Sequence, residues 1–260
     1  MSYNQIRPGG YKMLPEAIKY LLVINGICFF AQHMLSSTPL GTMFDSFALY
    51  QPGSVSFHLW QIITSVFMHG NLTHLLSNMF SLWMFGAVIE NIWGTRRFVT
   101  YYLVTAIGAG VLYLLVNQVE ISLLAGKLTS AGVPDALLAG LRQASNVDIA
   151  NELISEVRMP MDTDLVSRYY WAYHVPVVGA SGAVFGILLA FGMMFPNSKI
   201  YLYFAIPITT KWFVIGYGVF EFVSGITGFQ SNVAHFAHLG GMLFGYILIR
   251  YWKKKGMWYR

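Results

Sequence analysis

Six long apolar runs, each bounded by charged or turn-forming residues, dominate the pattern of hydrophobic positions along the chain. A helix needs about 20 mostly apolar residues to cross the hydrocarbon core of a bilayer. Runs of that kind lie at residues 20–37, 72–92, 98–117, 175–195, 212–229 and 233–252. A shorter run, 200–208, contains Pro207 and is expected only to lengthen the loop before the fifth run. The pattern predicts an all-α, polytopic membrane protein with six transmembrane helices, numbered below as spans one to six.

The composition fits a membrane protein. Hydrophobic residues make up 56% of the chain and charged residues 10%, against roughly 25% charged residues in soluble domains. This excludes both a water-soluble chain and an intrinsically disordered one. Cys28 is the single cysteine, which excludes an internal disulfide and a metal site built from several thiolates. The net charge of +5 comes from basic residues at the chain ends and in short gaps between apolar runs, so it favours a lipid surface over a nucleic acid.

The distribution of Lys and Arg predicts an orientation, because cytoplasmic loops of membrane proteins carry the excess of positive charge. With the N-terminus inside, twelve of the sixteen basic residues are cytoplasmic, and the other four lie in one long segment between spans three and four. We therefore predict a multi-pass protein of the cell membrane with both termini in the cytoplasm. No small-x-small cleavage site follows span one, so we expect it to be retained and not removed as a signal peptide.

The long segment, residues 118–176, is the one predicted departure from a plain helical bundle. Residues 1–260 are expected to form a single membrane domain, with 118–176 inserted as an extended outer loop between spans three and four. Stretches such as 136–139 and 149–157 have the apolar spacing of short amphipathic helices, which we expect to lie on the outer surface of the membrane. The sequence assigns no function to this loop.

Polar side chains inside the spans are candidate functional residues, because they are costly in lipid and usually face the bundle interior. On the predicted topology, spans two, four and six all begin at the outer face, so their first residues share a depth. These residues are His74 and Asn78 in span two, Ser181 in span four, and His235 and His238 in span six. Glycines at helical spacing in spans four and six would let the two helices approach until a serine and a histidine meet.

These residue types suit acyl transfer. The hydroxyl of Ser181 becomes a nucleophile when a base takes its proton, and the neutral imidazole of His238 can do this near pH 7. The amide of Asn78 and the ring of His74 can donate hydrogen bonds to the oxyanion that develops on the attacked carbonyl. The parts for hydrolysis by a Ser–His dyad are therefore present.

A histidine in such a pair must be held in place, and a carboxylate usually does this. Glu221 is the one acidic residue in the later spans, but its place in the sequence does not assign it to His238, so this third member is expected to be missing. Phe185, one turn after Ser181, is expected to orient the ring by stacking. His69, in the loop before span two, is expected to cap a helix or face water.

Four short motifs together resemble those of a known family. They are GASG at 179–182, HGNLTH at 69–74 followed by Asn78, AHLGG at 237–241 followed by Gly245, and Glu90 with Gly94 and Arg97 between spans two and three. They are similar to the GxSG motif, the His-rich start of span two, the HxxGxxxG pattern and the link between spans two and three of the rhomboid intramembrane serine proteases. The resemblance runs from about Phe57 to Tyr251, without the long loop.

The resemblance implies a six-helix rhomboid-like bundle that hydrolyses peptide bonds in or near the transmembrane segments of single-span or polytopic membrane proteins. It implies a lipid bilayer as surroundings and no metal, organic cofactor or nucleic acid. Carried over by position, Ser181 is the nucleophile, His238 is the base and later the acid, and His74 and Asn78 stabilise the oxyanion. The supporting positions are Phe185, Gly179 and Gly241. The long loop departs from the family pattern and bears on substrate access.

Each of these residues also has a simpler interpretation. In this interpretation, Ser181, which lies beside glycines, only packs against a neighbouring helix, and His74 and Asn78 form an interhelical hydrogen-bonded pair. His235 and His238 are core histidines or metal ligands, although the sequence has no HExxH motif and no acidic residue beside them. Two other functions remain open. A transporter predicts a carboxylate in the polar layer and symmetric repeats, and the sequence indicates neither. A catalytically silent rhomboid-like protein that binds membrane clients predicts loss of the serine or the histidine, and this chain keeps both.

Overall fold

The structure is a computed structural model and describes residues 10–157, 162–202, 205–229 and 234–257. Within these residues most of the chain is helical, which confirms the predicted class. The helices are α1 (Glu16–Leu35), α2 (Pro39–Asp45), α3 (Gln61–Thr64), α4 (Leu72–Ser81), α5 (Ala87–Trp93), α6 (Thr95–Ser130), α7 (Asp135–Gln143), α8 (Val147–Glu156), α9 (Thr163–His174), α10 (Ser181–Met194), α11 (Thr210–Thr227) and α12 (His235–Lys254). A 3-10 turn covers Ser65–Phe67, and a π-helical stretch, Leu82–Gly86, joins α4 to α5.

A helix lies at each of the six predicted spans, but these helices differ in length and polarity. Within the described ranges, α1, the continuous unit Leu72–Trp93 and α6 are long and apolar enough to cross a membrane on their own. Helix α10 is apolar but has 14 residues, about 21 Å of helix. Helices α11 and α12 carry ionisable residues such as Lys211, Glu221 and His238, which lower their hydropathy. The count of six crossings therefore stays a prediction.

Span three is longer than predicted. Helix α6 has 36 residues, about 54 Å at the helical rise per residue, against a hydrocarbon core of about 30 Å. The polar residues after position 116 do not end it because their side chains find partners. The Asn117 amide donates to Gln51 Oε1 at 2.9 Å, and the Gln51 amide donates to Gln118 Oε1 at 3.0 Å. The helix therefore continues into the segment predicted as a loop.

The described part of the 118–176 segment is folded around a small core of its own. Ile121, Leu124 and Leu128 lie on one face at the end of α6 and are buried. Helix α9 packs against this face, and α7 packs against α8 and α9, with Leu141 and Val166 among the buried side chains. Packing within the protein thus covers the apolar face of α7, whereas in α8 Ala150 is buried and Ile149 is exposed. Three basic residues counted in the sequence lie outside the described residues: Arg7, Arg158 and Arg260.

Span four begins later than predicted, at Ser181. Pro176 disfavours a helix just before it, and Val177 exchanges two backbone hydrogen bonds of 2.8 and 2.9 Å with Leu49. Gly179 has a φ of 120°, a backbone conformation that residues with a Cβ atom rarely adopt. An extended segment therefore leads into α10 and leaves Ser181 as its first residue.

The short apolar run before span five forms a hairpin and not only a longer loop. Strands β1 (Lys199–Leu202) and β2 (Ile206–Thr209) pair antiparallel, with Ile200 opposite Ile208. Tyr201 pairs with Pro207 in a two-stranded sheet, where both strands are edges and a proline is tolerated. The predicted break at Pro207 is therefore accommodated within the second strand.

Glycines let α6, α10 and α12 approach one another at the centre of the bundle. A side chain on Gly241 would collide with the backbone of Gly182, so α10 and α12 touch backbone to backbone there. Gly186 lies against Thr105 of α6 instead, and Gly245 lies against Tyr101 and Thr105 of the same helix. The predicted approach of spans four and six therefore occurs through one glycine pair, while the second pair serves the contact of both helices with α6.

Glu90, at the far end of span two, is a buried carboxylate with a structural task. Its two oxygens accept hydrogen bonds from the backbone N–H groups of Ala17 at 2.8 Å and Ile18 at 2.9 Å, and Oε1 also accepts from the Thr95 hydroxyl at 2.8 Å. A carboxylate at a helix N-terminus satisfies unpaired N–H groups and opposes the helix dipole. Glu90 therefore ties the start of α1 to the link between spans two and three.

Candidate active site

Ser181 and His238 are in contact although 57 residues separate them in the chain. Oγ of Ser181 lies 2.9 Å from Nε2 of His238. Ser181 is the first residue of α10 and His238 lies in the first turn of α12. The backbone contact between Gly182 and Gly241 holds the two helices together beside this pair. A hydroxyl and an imidazole nitrogen at this distance can transfer a proton directly.

The ring of His238 is stacked on Phe185. The two ring centroids are 4.2 Å apart and the rings are nearly parallel, at 5°. Phe185 lies four residues after Ser181 on the same face of α10, and Tyr217 of α11 contacts its ring at a centroid distance of 4.8 Å. Stacking on a ring that is itself held by Tyr217 limits rotation of the imidazole and leaves its two nitrogen atoms free for polar partners.

His74 and Asn78 stand beside the segment that leads into α10. Asn71 caps α4 by accepting a hydrogen bond from the backbone N–H of His74 at 2.8 Å, which fixes the first turn of the helix. A side chain on Gly179 would come within 2.7 Å of the His74 ring and 3.6 Å of the Asn78 amide nitrogen. Gly179 is therefore required both by its backbone conformation and by the lack of space.

The amide nitrogen of Asn78 is buried and has no hydrogen-bond partner among the residues that the structure describes. Buried polar groups are nearly always paired, so an unpaired donor needs an explanation. Asn78 lines the same cavity as Ser181 and His238. An amide held there without a partner is available to a group that enters the cavity.

These side chains line a cavity of about 640 Å³. This volume is within the usual range for a ligand site. It lies between α4, α10, α11 and α12 and is bounded on one side by residues 175–178. Polar and apolar side chains both line it. The members of the predicted site that line it are His74, Asn78, Ser181, Phe185 and His238.

Comparison with known proteins assigns the fold to a family. The model of the Rhomboid domain matches residues 56–142 and 159–255. This chain belongs to the rhomboid family. The match covers most of the chain, including all of the long segment between α6 and α10 except residues 143–158, and it confirms the resemblance based on the short motifs. It also makes the helical, membrane-embedded character of the fold a property of a known domain.

Rhomboid relatives of this chain share about a quarter of their residues with it. RHOMBOID-like protein 12, mitochondrial, of Arabidopsis thaliana is 28% identical over 76% of this chain and 48% of its own length. Rhomboid protein 1, mitochondrial, of Saccharomyces cerevisiae is 26% identical over 94% of the chain and 65% of its own length. An uncharacterized mitochondrial rhomboid protein of Schizosaccharomyces pombe is 24% identical over 76% and 53%. The chain thus spans about half to two thirds of the length of these relatives.

The predicted location is wrong. We predicted a protein of the cell membrane with cytoplasmic termini, whereas the three relatives above are named as mitochondrial. The distribution of basic residues bears on which side of a membrane a loop faces, and it contains no information on which membrane that is.

Glu221 is the residue of the rhomboid site that sequence reasoning missed. It lies on α11 with 2% of its surface exposed, and its Oε2 is 3.0 Å from Nδ1 of His238 and 2.7 Å from Nδ1 of His235. The expectation that no carboxylate stands beside the histidine is therefore wrong. The sequence did contain a signal for this contact. A lone carboxylate in a membrane helix requires a partner, and His235 and His238 are the nearby candidates in the sequence.

The cluster of Glu221, His235 and His238 also has the composition of a metal site, since their ligand atoms all lie within 4.8 Å of one another. Direct contacts already explain the arrangement, because both Nδ1 atoms approach the same carboxylate oxygen at hydrogen-bonding distance. On its other side, Nε2 of His235 lies 2.9 Å from the carbonyl oxygen of Phe229, and the ring donates to both acceptors when each nitrogen carries a proton. We therefore treat the cluster as a hydrogen bond between His235 and Glu221 together with an electrostatic contact between His238 and Glu221.

His69, expected at the surface, is fully buried. Its ring meets that of His74 edge to face, with centroids 5.1 Å apart. Burial, together with the charge of the neighbouring His74, lowers the pKa of His69 to about 4, so it is neutral near pH 7. The sequence could not show this, because a histidine in a short loop before a helix is more often exposed. His69 supports His74 from behind.

Proposed function

We propose that this rhomboid chain is an intramembrane serine endopeptidase that cleaves membrane proteins in or near their transmembrane segments. The observation that carries the proposal is the 2.9 Å contact between Ser181 Oγ and His238 Nε2 inside a cavity. A serine that only packs against a neighbouring helix needs no histidine at its hydroxyl, and the pair meets the geometric requirement for an activated nucleophile.

The proposed reaction uses the side chains of the chain and water. His238 Nε2 takes the proton of Ser181 as Oγ attacks the carbonyl carbon of the substrate peptide bond. The protonated His238 then gives this proton to the amide nitrogen, the C–N bond breaks, and the new amino terminus leaves. A water molecule, deprotonated by His238, attacks the acyl-enzyme and releases the carboxyl fragment, which restores Ser181.

Asn78 and His74 are the proposed donors for the oxyanion. The unpaired amide of Asn78 supports this role, since a preorganised donor that costs no other hydrogen bond is what transition-state stabilisation requires. The ring of His74 lies against Gly179, two residues before the nucleophile. Both donors stand on α4 and line the same cavity as Ser181 and His238.

The expected substrates are segments that leave the helical state easily. A peptide bond in a membrane helix is already hydrogen-bonded and is shielded by the surrounding side chains. It can reach Ser181 only after local unwinding, so residues such as glycine and proline near the cleaved bond should favour cleavage. Single-span proteins with such residues close to one end of the span are the first substrates to test.

A fluorophosphonate probe tests the proposal, because it reacts covalently with an activated serine. The full chain purified in detergent is expected to be labelled, and Ser181→Ala is expected to abolish the labelling. His238→Ala should reduce it strongly, since the hydroxyl then lacks its base. Ser122→Ala, which removes an exposed hydroxyl of α6 bonded to the Gln118 carbonyl oxygen, is the matched control and should be labelled like the unchanged protein.

Cleavage of a panel of single-span substrates by the same four proteins extends the test to peptide bonds. Products that require both Ser181 and His238 would support an endopeptidase. A folded protein that is neither labelled nor active on any substrate would contradict the proposal and would favour the second candidate, a catalytically silent rhomboid-like protein that binds membrane clients.

A further inference from the structure

Three ionisable side chains from α10, α11 and α12 form one continuous path. The Ser181 hydroxyl lies at Nε2 of His238, and the carboxylate of Glu221 lies at Nδ1 of the same ring, 3.0 Å away. This is the order of groups found in a three-membered hydrolytic site, in which a carboxylate stands behind the histidine. Glu221 reaches this place from a different helix than either of the other two.

Hydrogen-bonding capacity fixes the tautomer of His238. To accept the proton of Ser181, Nε2 must present its lone pair, so the ring proton of the neutral imidazole is on Nδ1. The nearest acceptor for that proton is Oε2 of Glu221. If the ring carried its proton on Nε2, the lone pair of Nδ1 would face the carboxylate, which is unfavourable. Glu221 therefore selects the tautomer that can act as a base.

His235 anchors the carboxylate. Its Nδ1 lies 2.7 Å from Glu221 Oε2 and its Nε2 lies 2.9 Å from the Phe229 carbonyl oxygen, so both ring nitrogens face acceptors. Glu221 and His235 are 2% and 4% exposed, and a buried carboxylate without such a partner would be costly. His235 thus satisfies Glu221 on one side and leaves the same oxygen to face His238.

The contact between Glu221 and His238 is close but not linear. At 3.0 Å the carboxylate oxygen lies off the direction of the Nδ1–H bond, so the contact is electrostatic more than a well-aligned hydrogen bond. Catalytic hydrogen bonds are often poorly aligned before a substrate binds. The contact gains strength when His238 takes a proton, because a cation then faces the carboxylate.

We propose that Glu221 is a positioning residue of the hydrolytic reaction, which converts the Ser181–His238 dyad into a Ser–His–Glu triad, with His235 fixing the carboxylate. Glu221 holds His238 in the reactive tautomer and stabilises its imidazolium. The inference rests on the proposed hydrolytic function. If Glu221 and His235 only join α11 to α12, the labelling rate and its pH profile should instead be unchanged in a folded Glu221→Gln protein.

The test is the rate of fluorophosphonate labelling of the full chain in detergent, measured as a function of pH. Glu221→Gln keeps the shape of the side chain and removes its charge. It is expected to slow labelling by about 10- to 100-fold, less than the roughly 10⁴-fold loss for an aligned triad, and to move the acid limb of the pH profile to lower pH. Glu221→Asp, which keeps the charge one carbon further away, is expected to fall between Glu221→Gln and the unchanged chain.

Glu90→Gln is the matched control, since Glu90 is equally buried at 2% exposure and its hydrogen bonds tie α1 in place. It is expected to lower the thermal stability and to leave the labelling rate and the acid limb of the folded protein unchanged. The other titratable groups around His238 are His74, His235, Tyr113 and Tyr217. All of them are retained in every variant. A shift of the acid limb that occurs only in the variants at position 221 therefore reports the charge of Glu221.

The outcomes separate the two proposals. Failure of the unchanged chain to label at Ser181 would refute the hydrolytic function itself. Normal labelling of the unchanged chain together with an unshifted acid limb and rate in folded Glu221→Gln would refute the triad alone. If Glu221→Gln does not fold, Glu221→Asp decides: a labelling rate equal to that of the unchanged chain would overturn the inference, and a slower rate would support it.

Discussion

Gly241→Ala offers the most direct test of how the fold brings the candidate site together. Gly241 of α12 and Gly182 of α10 touch backbone to backbone. Gly241 lies three residues after His238, and Gly182 lies one residue after Ser181. An added Cβ would lie 2.6 Å from the carbonyl carbon of Gly182, whereas ordinary contact begins at 3.4 Å. The carbonyl oxygen is closer still. Because the obstacle is backbone, it cannot turn away as a side chain would.

The magnitude follows from these distances. Clearing the carbonyl carbon alone requires the two helices to separate by about 0.8 Å, and the nearer carbonyl oxygen requires more. Overpacking of this kind costs about 1–3 kcal/mol. A displacement of about 0.8 Å along the 2.9 Å contact between Ser181 and His238 already lengthens it to about 3.7 Å, beyond hydrogen-bonding range. Misplacement of reacting groups by about 1 Å can reduce a rate about 100-fold. We expect a loss of that order in the fluorophosphonate labelling rate.

The assay compares labelling rates of proteins shown to be folded by their thermal unfolding in detergent. Gly216→Ala is the control, because Gly216 lies within the neighbouring helix α11 with no atom near its would-be Cβ. It should label normally and unfold at an equal or higher temperature, since alanine is favoured over glycine inside a helix. A folded Gly241→Ala protein that labels at the rate of the unchanged chain would refute the view that this glycine pair sets the Ser–His distance.

Three further predictions concern single side chains of the site. Asn78→Ala should reduce substrate turnover by about 100-fold with little change in stability, as expected for loss of one oxyanion donor, and unchanged kinetics would remove Asn78 from the mechanism. Phe185→Ala should slow labelling because the imidazole loses its stacking partner, whereas Phe185→Tyr keeps the ring face and should remain close to the unchanged rate; equal rates for both would show that stacking does not orient the base. Because the pKa of His69 is lowered to about 4 in the folded protein, the unfolded chain binds the extra proton between that value and about 6.5. The contribution of His69 to stability should therefore be complete above pH 6.5 and fall by up to about 3 kcal/mol as the pH drops through 6.5 towards 4. Thermal unfolding across pH can measure this, and the dependence on pH should be weaker in His69→Gln.

The outer helical segment shows how far a local pattern can be interpreted. The amphipathic spacing in residues 136–157 correctly indicated short helices, now seen as α7 and α8. The same spacing could not tell whether the apolar faces meet lipid or protein, because both surroundings are apolar. The answer depended on α6 continuing past Asn117, and that continuation depends on Gln51, a residue more than sixty positions away.

What the sequence determined by itself is local. Runs of apolar residues placed the helices, and the motifs around Ser181 and His238 indicated the family, because hydrophobicity and short motifs are properties of neighbouring residues. The tertiary structure decided which side chains meet across helices: Glu221 behind His238, and His69 behind His74. Such contacts depend on the rotation and separation of whole helices, which glycine contacts such as that of Gly241 set, and no spacing along the chain encodes them.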